Sequence, residues 1–312
     1  MFADDLQQYG PQSASQRPPT PAAARRYCCR LARRHYENFT VATRLLPREL
    51  RQHFCNVYAY CRWADDLADE TGDSDESLEL LAWWEGELRD CYGGTTRHPV
   101  FVALADTIAK FEIPIEPFAD LLVAFRQDQR VRRYERFEQL LEYCRYSANP
   151  VGRLVLYLGR CHTPGLVRWS DSICTGLQLA NFWQDVARDF DSGRIYLPQA
   201  DCRRFGYDEA QFSRREPNEA FRRLLAAQVE RADGLLREGM PLIAQVSSEL
   251  RLSVALFLHG GLAILDAIRR QDYDVWTVRP TLSKMEKLRI VAGCWWRHRR
   301  GTRRGTFPQS ES

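Results

Sequence analysis

Apolar residues recur along this chain three and four positions apart, and no alternating pattern of period two persists, so the sequence predicts helices nearly throughout. A first helix covers residues 22–36. Pro47 reads as the start of a second, which runs to Glu70 and is largely apolar or aromatic between residues 50 and 68. An acidic amphipathic helix over 76–92 ends at Gly93-Gly94. Two more follow over 99–111 and 117–130, the latter running into a charged stretch, 126–133, read as a solvated helix end. Residues 137–161 form an apolar helix in which Pro150 and Gly152 predict a kink. The segment 165–189 is the central helix, and 217–240, 247–272 and a basic 282–300 complete the set. Roughly a dozen helices and no credible sheet predict an all-α fold.

Composition narrows the class. The chain has 312 residues, 45% of them hydrophobic, with a formal charge of +3. That supports a sizeable core and gives no reason to expect nucleic acid as a partner. The ten cysteines form no Cys-x-x-Cys pair, which fits a reducing, cytoplasmic setting better than a disulfide framework or a zinc site. Residues 1–21 are polar and Pro-rich and read as a disordered lead-in, followed by one domain over 22–300 and a polar tail over 301–312. The longest apolar run, 254–265, is broken by His259-Gly260-Gly261 and is too short to span a bilayer, so the protein reads as soluble or peripheral.

Two helices carry acids in unusual company. In the central one, Asn181, Asp185 and Asp189 stand four residues apart on one face, among Leu177, Leu179, Ala180, Phe182 and Trp183. In the second, Asp65 and Asp69 repeat the spacing, with Arg62 one turn earlier. Like charges so placed repel slightly on an exposed helix, and buried without a cation they cost several kcal/mol each, on the order of 3–5. Rows of hard oxygen ligands suit Mg²⁺ that phosphate also holds, and two such helices can face one another across a bundle. A solvated acidic stripe is the other reading of either row taken alone.

At these residues the chain resembles a known family. Arg62-x-x-Asp65-Asp66-x-x-Asp69-Glu70 and Asn181-x-x-x-Asp185-x-x-x-Asp189, followed by Gly193-Arg194-x-Tyr196-Leu197-Pro198, are similar to the two aspartate-rich motifs of the squalene/phytoene synthases, over about residues 35–287. The resemblance implies an isoprenoid synthase helical bundle around a central cavity, with Mg²⁺ held by Asp65, Asp69, Asn181, Asp185 and Asp189 on a prenyl diphosphate. It implies substrate contacts from Arg62, Arg279, His35, Phe39, Tyr58, Ser147, Val151 and Gln178. Phe39 and Tyr143 are expected as cation-π partners of the carbocation. Three departures stand out: Tyr36-Glu37-Asn38-Phe39 puts an acid where a diphosphate-binding base can occur, Gln184 stands where Arg is frequent, and Gly260-Gly261 where a Tyr often precedes the Ile-Leu pair. Fewer cations suit one diphosphate per turnover. With Ser147-Ala-Asn-Pro-Val-Gly-Arg153 they resemble the hydroxysqualene synthase branch of bacterial hopanoid pathways. That branch implies a lyase-type reaction on presqualene diphosphate supplied by a sister synthase. The alternatives are a head-to-head prenyltransferase and a non-catalytic assembly partner.

Residues 294–304 add one surface expectation. Two Trp beside five Arg suit a peripheral contact with an anionic inner membrane face; the competing reading is a solvated tail whose tryptophans pack on the bundle.

Overall fold

In the computed structural model of this chain the described residues are 2–13, 17–35 and 46–303. They form sixteen helices and no strand, with one isolated parallel bridge between Arg133 and Ile195. Phe39 lies outside the described residues, as do residues 304–312, and of His35 only the backbone is described.

The first half is built on an aromatic core. α1 (Phe2–Tyr9) and α2 (Pro21–His35) lead to α3 (Arg48–Asp69), which begins directly after Pro47 as the sequence predicts. The inward face of α3 presents Tyr60, Trp63, Ala64 and Leu67, all essentially fully buried. Trp63 stacks on Trp84 of α4 (Ser74–Tyr92), with ring centres 5.3 Å apart and an interplanar angle of 12°. Phe101 of α5 (Pro99–Phe111) and Phe118 of α6 (Glu116–Asp128) close on Tyr60, whose hydroxyl donates to the Phe118 carbonyl at 2.9 Å. Large, stiff side chains of this kind fix the rotation of α3 about its axis, and α3 carries the first acid row.

The second half is arranged around one long helix. α7 (Phe137–Ser147) and α8 (Asn149–Leu158) are the predicted kinked helix, broken at Ala148 (φ −121°, ψ −47°) because Pro150 has no N–H to continue the ladder. Gly152 is required there: a Cβ would sit 2.3 Å from Ser170 Oγ and 2.6 Å from Cys174 Sγ of α9 (Pro164–Gln184). The sequence predicts a continuous helix over 165–189. It turns instead at Asp185 (φ −106°, ψ 14°) into α10 (Val186–Asp191), although the Asp185 N–H still donates to Asn181 O and the Asp189 N–H to Asp185 O, both at 2.9 Å. After α11 (Gln199–Phe205) and α12 (Glu209–Arg214), α13 (Glu219–Glu238) packs along α9, followed by α14 (Leu242–Gln245), α15 (Ser248–Arg270) and α16 (Lys284–Arg303). α15 is long and apolar enough to cross a bilayer by composition, but it packs against α9, α13 and α16.

The reading of the N-terminal segment needs correction. The lead-in is not disordered over residues 2–9. Phe2, Leu6 and Tyr9 share one face of α1 and pack on the core, with the Phe2 and Trp63 ring centres 5.4 Å apart and Tyr27 Oη donating to Asp5 Oδ2 at 3.1 Å. That apolar i, i+4, i+7 pattern is masked by the polar residues between. On α13, Arg231 Nη1 donates to Asp201 Oδ2 at 2.5 Å and the exposed Arg237 pairs with Asp233.

Candidate active site

The acid rows of α3 and of α9–α10 face one cavity of about 350 Å³. From α3 it receives Asp65 and Asp69, and from α9–α10 Gln178, Asn181, Phe182 and Asp189. α7 adds Tyr143 and Ser147, the segment after α10 adds Arg194 and Tyr196, and α6 contributes Leu121, Ala124, Phe125 and Asp128. The wall therefore sets four carboxylates among apolar, aromatic and neutral polar side chains. Tyr196 lies flat on Phe182, centres 3.7 Å apart and 9° between planes, so the aromatic wall is a packed unit.

Asp128 escaped the sequence reading. Its Oδ2 accepts a hydrogen bond from Tyr143 Oη at 2.9 Å, while its Oδ1 is buried with no partner. The charged stretch around it reads as solvated, yet Leu121, Phe125 and Asp128 stand at i, i+4 and i+7 on the apolar face of α6, and that spacing was the available signal. Arg194 is the single cation among the residues lining the cavity; its Nη2 donates to Asp69 Oδ1 at 3.2 Å.

The electrostatics are strained in one direction. Burial pushes the Asp65 carboxyl up to about 6, with Arg62 opposing and Asp69 adding to the rise. Burial likewise raises Asp128 to about 6 against the Tyr143 hydrogen bond, and Asp189 to about 7 with the Asp185 charge assisting. Burial and the Asp128 charge hold the Tyr143 phenol well above its ordinary range. Asp189 Oδ2 is buried without a hydrogen-bond partner.

Not every expected residue reaches the cavity. Arg62 is turned along its own helix, donating to Asp65 Oδ2 at 3.0 Å and pairing with Asp66, which has the deeper burial. Asp185 is gripped by Arg279 from the connector after α15, with Nε–Oδ1 at 2.5 Å and Nη2–Oδ2 at 2.9 Å, and neither lines the cavity. Gln184 is spent on the same connector, its Nε2 donating to the Pro280 carbonyl at 2.6 Å. Tyr58 is half-buried on α3 away from the cavity lining, and Val151 is 41% exposed on the outside of α8.

Among the described residues no three His, Cys, Asp or Glu side chains already converge on one metal position. The carboxylates are instead spread around the cavity; Asp65, Asp128 and Asp189 have raised proton affinity, and Asp128 and Asp189 each keep one buried oxygen without a hydrogen-bond partner. That arrangement fits a hard divalent cation shared with a phosphate group better than an all-protein cage.

Comparison with known proteins agrees with this geometry. The family profile of squalene/phytoene synthase matches residues 32–286. A phytoene synthase of Arthrospira platensis is 34% identical over 286 residues, covering 86% of this chain and 92% of the relative. The solved squalene synthase HpnC from Alicyclobacillus acidocaldarius is 45% identical, with a TM-score of 0.78 over 81% of this chain and 95% of that one. A dehydrosqualene synthase solved with a ligand superposes with a TM-score of 0.81 at 26% identity, over 90% of this chain and 98% of the other.

Proposed function

This chain belongs to the squalene/phytoene synthase family, and from that premise we propose that it is a hydroxysqualene synthase, ionising presqualene diphosphate and capturing the cation with water. One observation carries the reading: four carboxylates, Asp65, Asp69, Asp128 and Asp189, face the cavity against one cation, Arg194. A single diphosphate brings charge that one cation and bound metal can meet, whereas a two-substrate condensation has two diphosphates to hold. The 45% identity to a squalene synthase supports the same branch of chemistry.

Asp65, Asp69, Asn181 and Asp189 would hold Mg²⁺, which would supply Lewis-acid stabilisation of the leaving diphosphate, while Asp185 stays paired with Arg279 outside the cavity lining. Asp65 and Asp69 are presented by the rigid aromatic packing of α3, so they keep their positions as charge develops. Arg194 adds fixed positive charge beside Asp69. The hydrocarbon part of the substrate lies against Leu121, Ala124 and Phe125. Tyr143, Phe182 and Tyr196 offer π faces to the carbocation. When water adds, a C–O bond forms and the water gives up a proton. We assign Asp128 Oδ1 as its acceptor, since that oxygen has no hydrogen-bond partner and Oδ2 is steadied by Tyr143.

A second reading, head-to-head condensation of two prenyl diphosphates, is favoured by the phytoene synthase relatives. Purified enzyme with Mg²⁺ and presqualene diphosphate in ¹⁸O-labelled water separates the two. A labelled alcohol formed without NADPH supports the proposal. Unlabelled product, hydrocarbon that needs NADPH, or turnover of simple prenyl diphosphates alone replaces it with a synthase reading.

A further inference from the structure

The final helix, α16, has two faces of opposite use. Its inner face packs along α15, with Cys294 buried and Glu286, Ile290, Val291 and His298 half-buried. On the outer face Met285 is 59% exposed, Leu288 61%, Trp295 45% and Trp296 52%, and Ala292 is exposed between them. At 100° per residue these five positions fall within an arc of about 100°, opposite Cys294. Both indoles thus keep about half of their surface open on the side of the helix away from Cys294. A contiguous apolar stripe with two exposed indoles on a terminal helix marks an interaction surface rather than scattered apolar residues.

Charge identifies what it meets. α16 holds seven Lys and Arg and one Glu, and that Glu286 is tied to Arg270 at 2.6 Å. Lys284, Lys287, Arg289, Arg297 and Arg299 are exposed, and the Arg299 guanidinium lies 3.9 Å over the Trp295 ring. A second copy of the chain would bring the same positive charge to the same stripe, which disfavours self-association. An anionic bilayer answers both features, taking the apolar stripe at the head-group boundary and the flanking cations at lipid phosphates.

We propose that the outer face of α16 docks this chain reversibly on anionic membranes, burying Met285, Leu288, Trp295 and Trp296. The contact is independent of which reaction the cavity performs. It places the chain at the surface where long isoprenoids partition.

The test uses the full chain and vesicles of phosphatidylcholine with and without phosphatidylglycerol. Wild type should bind the anionic vesicles at low salt, at least about tenfold more weakly the neutral ones, and lose binding at high salt. Brominated lipid should quench part of the tryptophan fluorescence. The variant Trp295→Glu/Trp296→Glu alters only exposed positions, so its helicity and melting temperature should match wild type while anionic binding falls at least about tenfold and quenching disappears. Equal binding by variant and wild type, or no binding to either vesicle, overturns the proposal. Concentration-dependent dimerisation that the variant abolishes would assign the stripe to a second copy instead.

Discussion

Replacing Asp189 with Asn should stabilise the metal-free protein at alkaline pH and leave it almost unchanged in acid. The Asp189 carboxyl is raised from 3.8 to about 7, by burial first and the Asp185 charge second, and its Oδ2 is buried without a partner. Below about pH 4 both folded and unfolded chains hold the proton, and the group adds no pH-dependent penalty. Between about pH 4 and 7 the unfolded chain has released it while the folded one keeps it, so stability falls as pH rises. Above about pH 7 the folded state carries the whole penalty of an ionised buried carboxylate. At about 1.4 kcal/mol per pH unit that rise corresponds to about 4 kcal/mol. Solvent entering the cavity screens it, leaving about 1–2 kcal/mol. Asn has the same shape and no charge, so the variant should melt roughly 2–6 °C above wild type at about pH 8 and within about 1 °C of it at about pH 4. Circular dichroism melts in the presence of a chelator measure both. Adding Mg²⁺ at the higher pH should raise wild type more than the variant. An Asn variant that is less stable at alkaline pH, or that differs from wild type equally at both, would refute the argument that this carboxylate is held ionised at a cost.

Arg279→Ala should destabilise the fold by about 3 kcal/mol, because it leaves the buried Asp185 carboxylate without its bidentate partner; Asp185→Asn in the same chain should recover much of the loss in urea denaturation, and no recovery would mean the pair is incidental. Gly152→Ala places a Cβ 2.3 Å from Ser170 Oγ and should cost about 1–3 kcal/mol in the same assay, with Ser170→Ala partly relieving it.

What the sequence discloses here follows from how local the cause is. The acid rows, the start of α3 at Pro47 and the break before Pro150 depend on spacings within a turn or two, and the structure keeps each of them. Asp128 acquires its environment from Tyr143, fifteen residues on, and Asp185 is claimed by Arg279, ninety-four residues on. No periodicity records such partners. The Asp185 case also shows the limit of the spacing argument. The i, i+4 ladder through Asn181, Asp185 and Asp189 is intact, yet a cation from another segment takes the middle residue out of the cavity lining.

The aromatic core and the cavity carry opposite electrostatic burdens. Around Tyr60, Trp63, Trp84 and Phe101 every large side chain is buried against another, and this packing offsets local costs elsewhere. The cavity is where those costs are collected: Asp65, Asp128 and Asp189 all hold protons more tightly than free carboxylates do. A sequence selected for stability alone would replace them with Asn or apolar residues of similar size. Their joint presence around one cavity is reasonable if incoming positive charge relieves the repulsion. A cation-bearing diphosphate entering this cavity would therefore stabilise the fold as it binds, and relief of the repulsion among these carboxylates becomes part of its affinity.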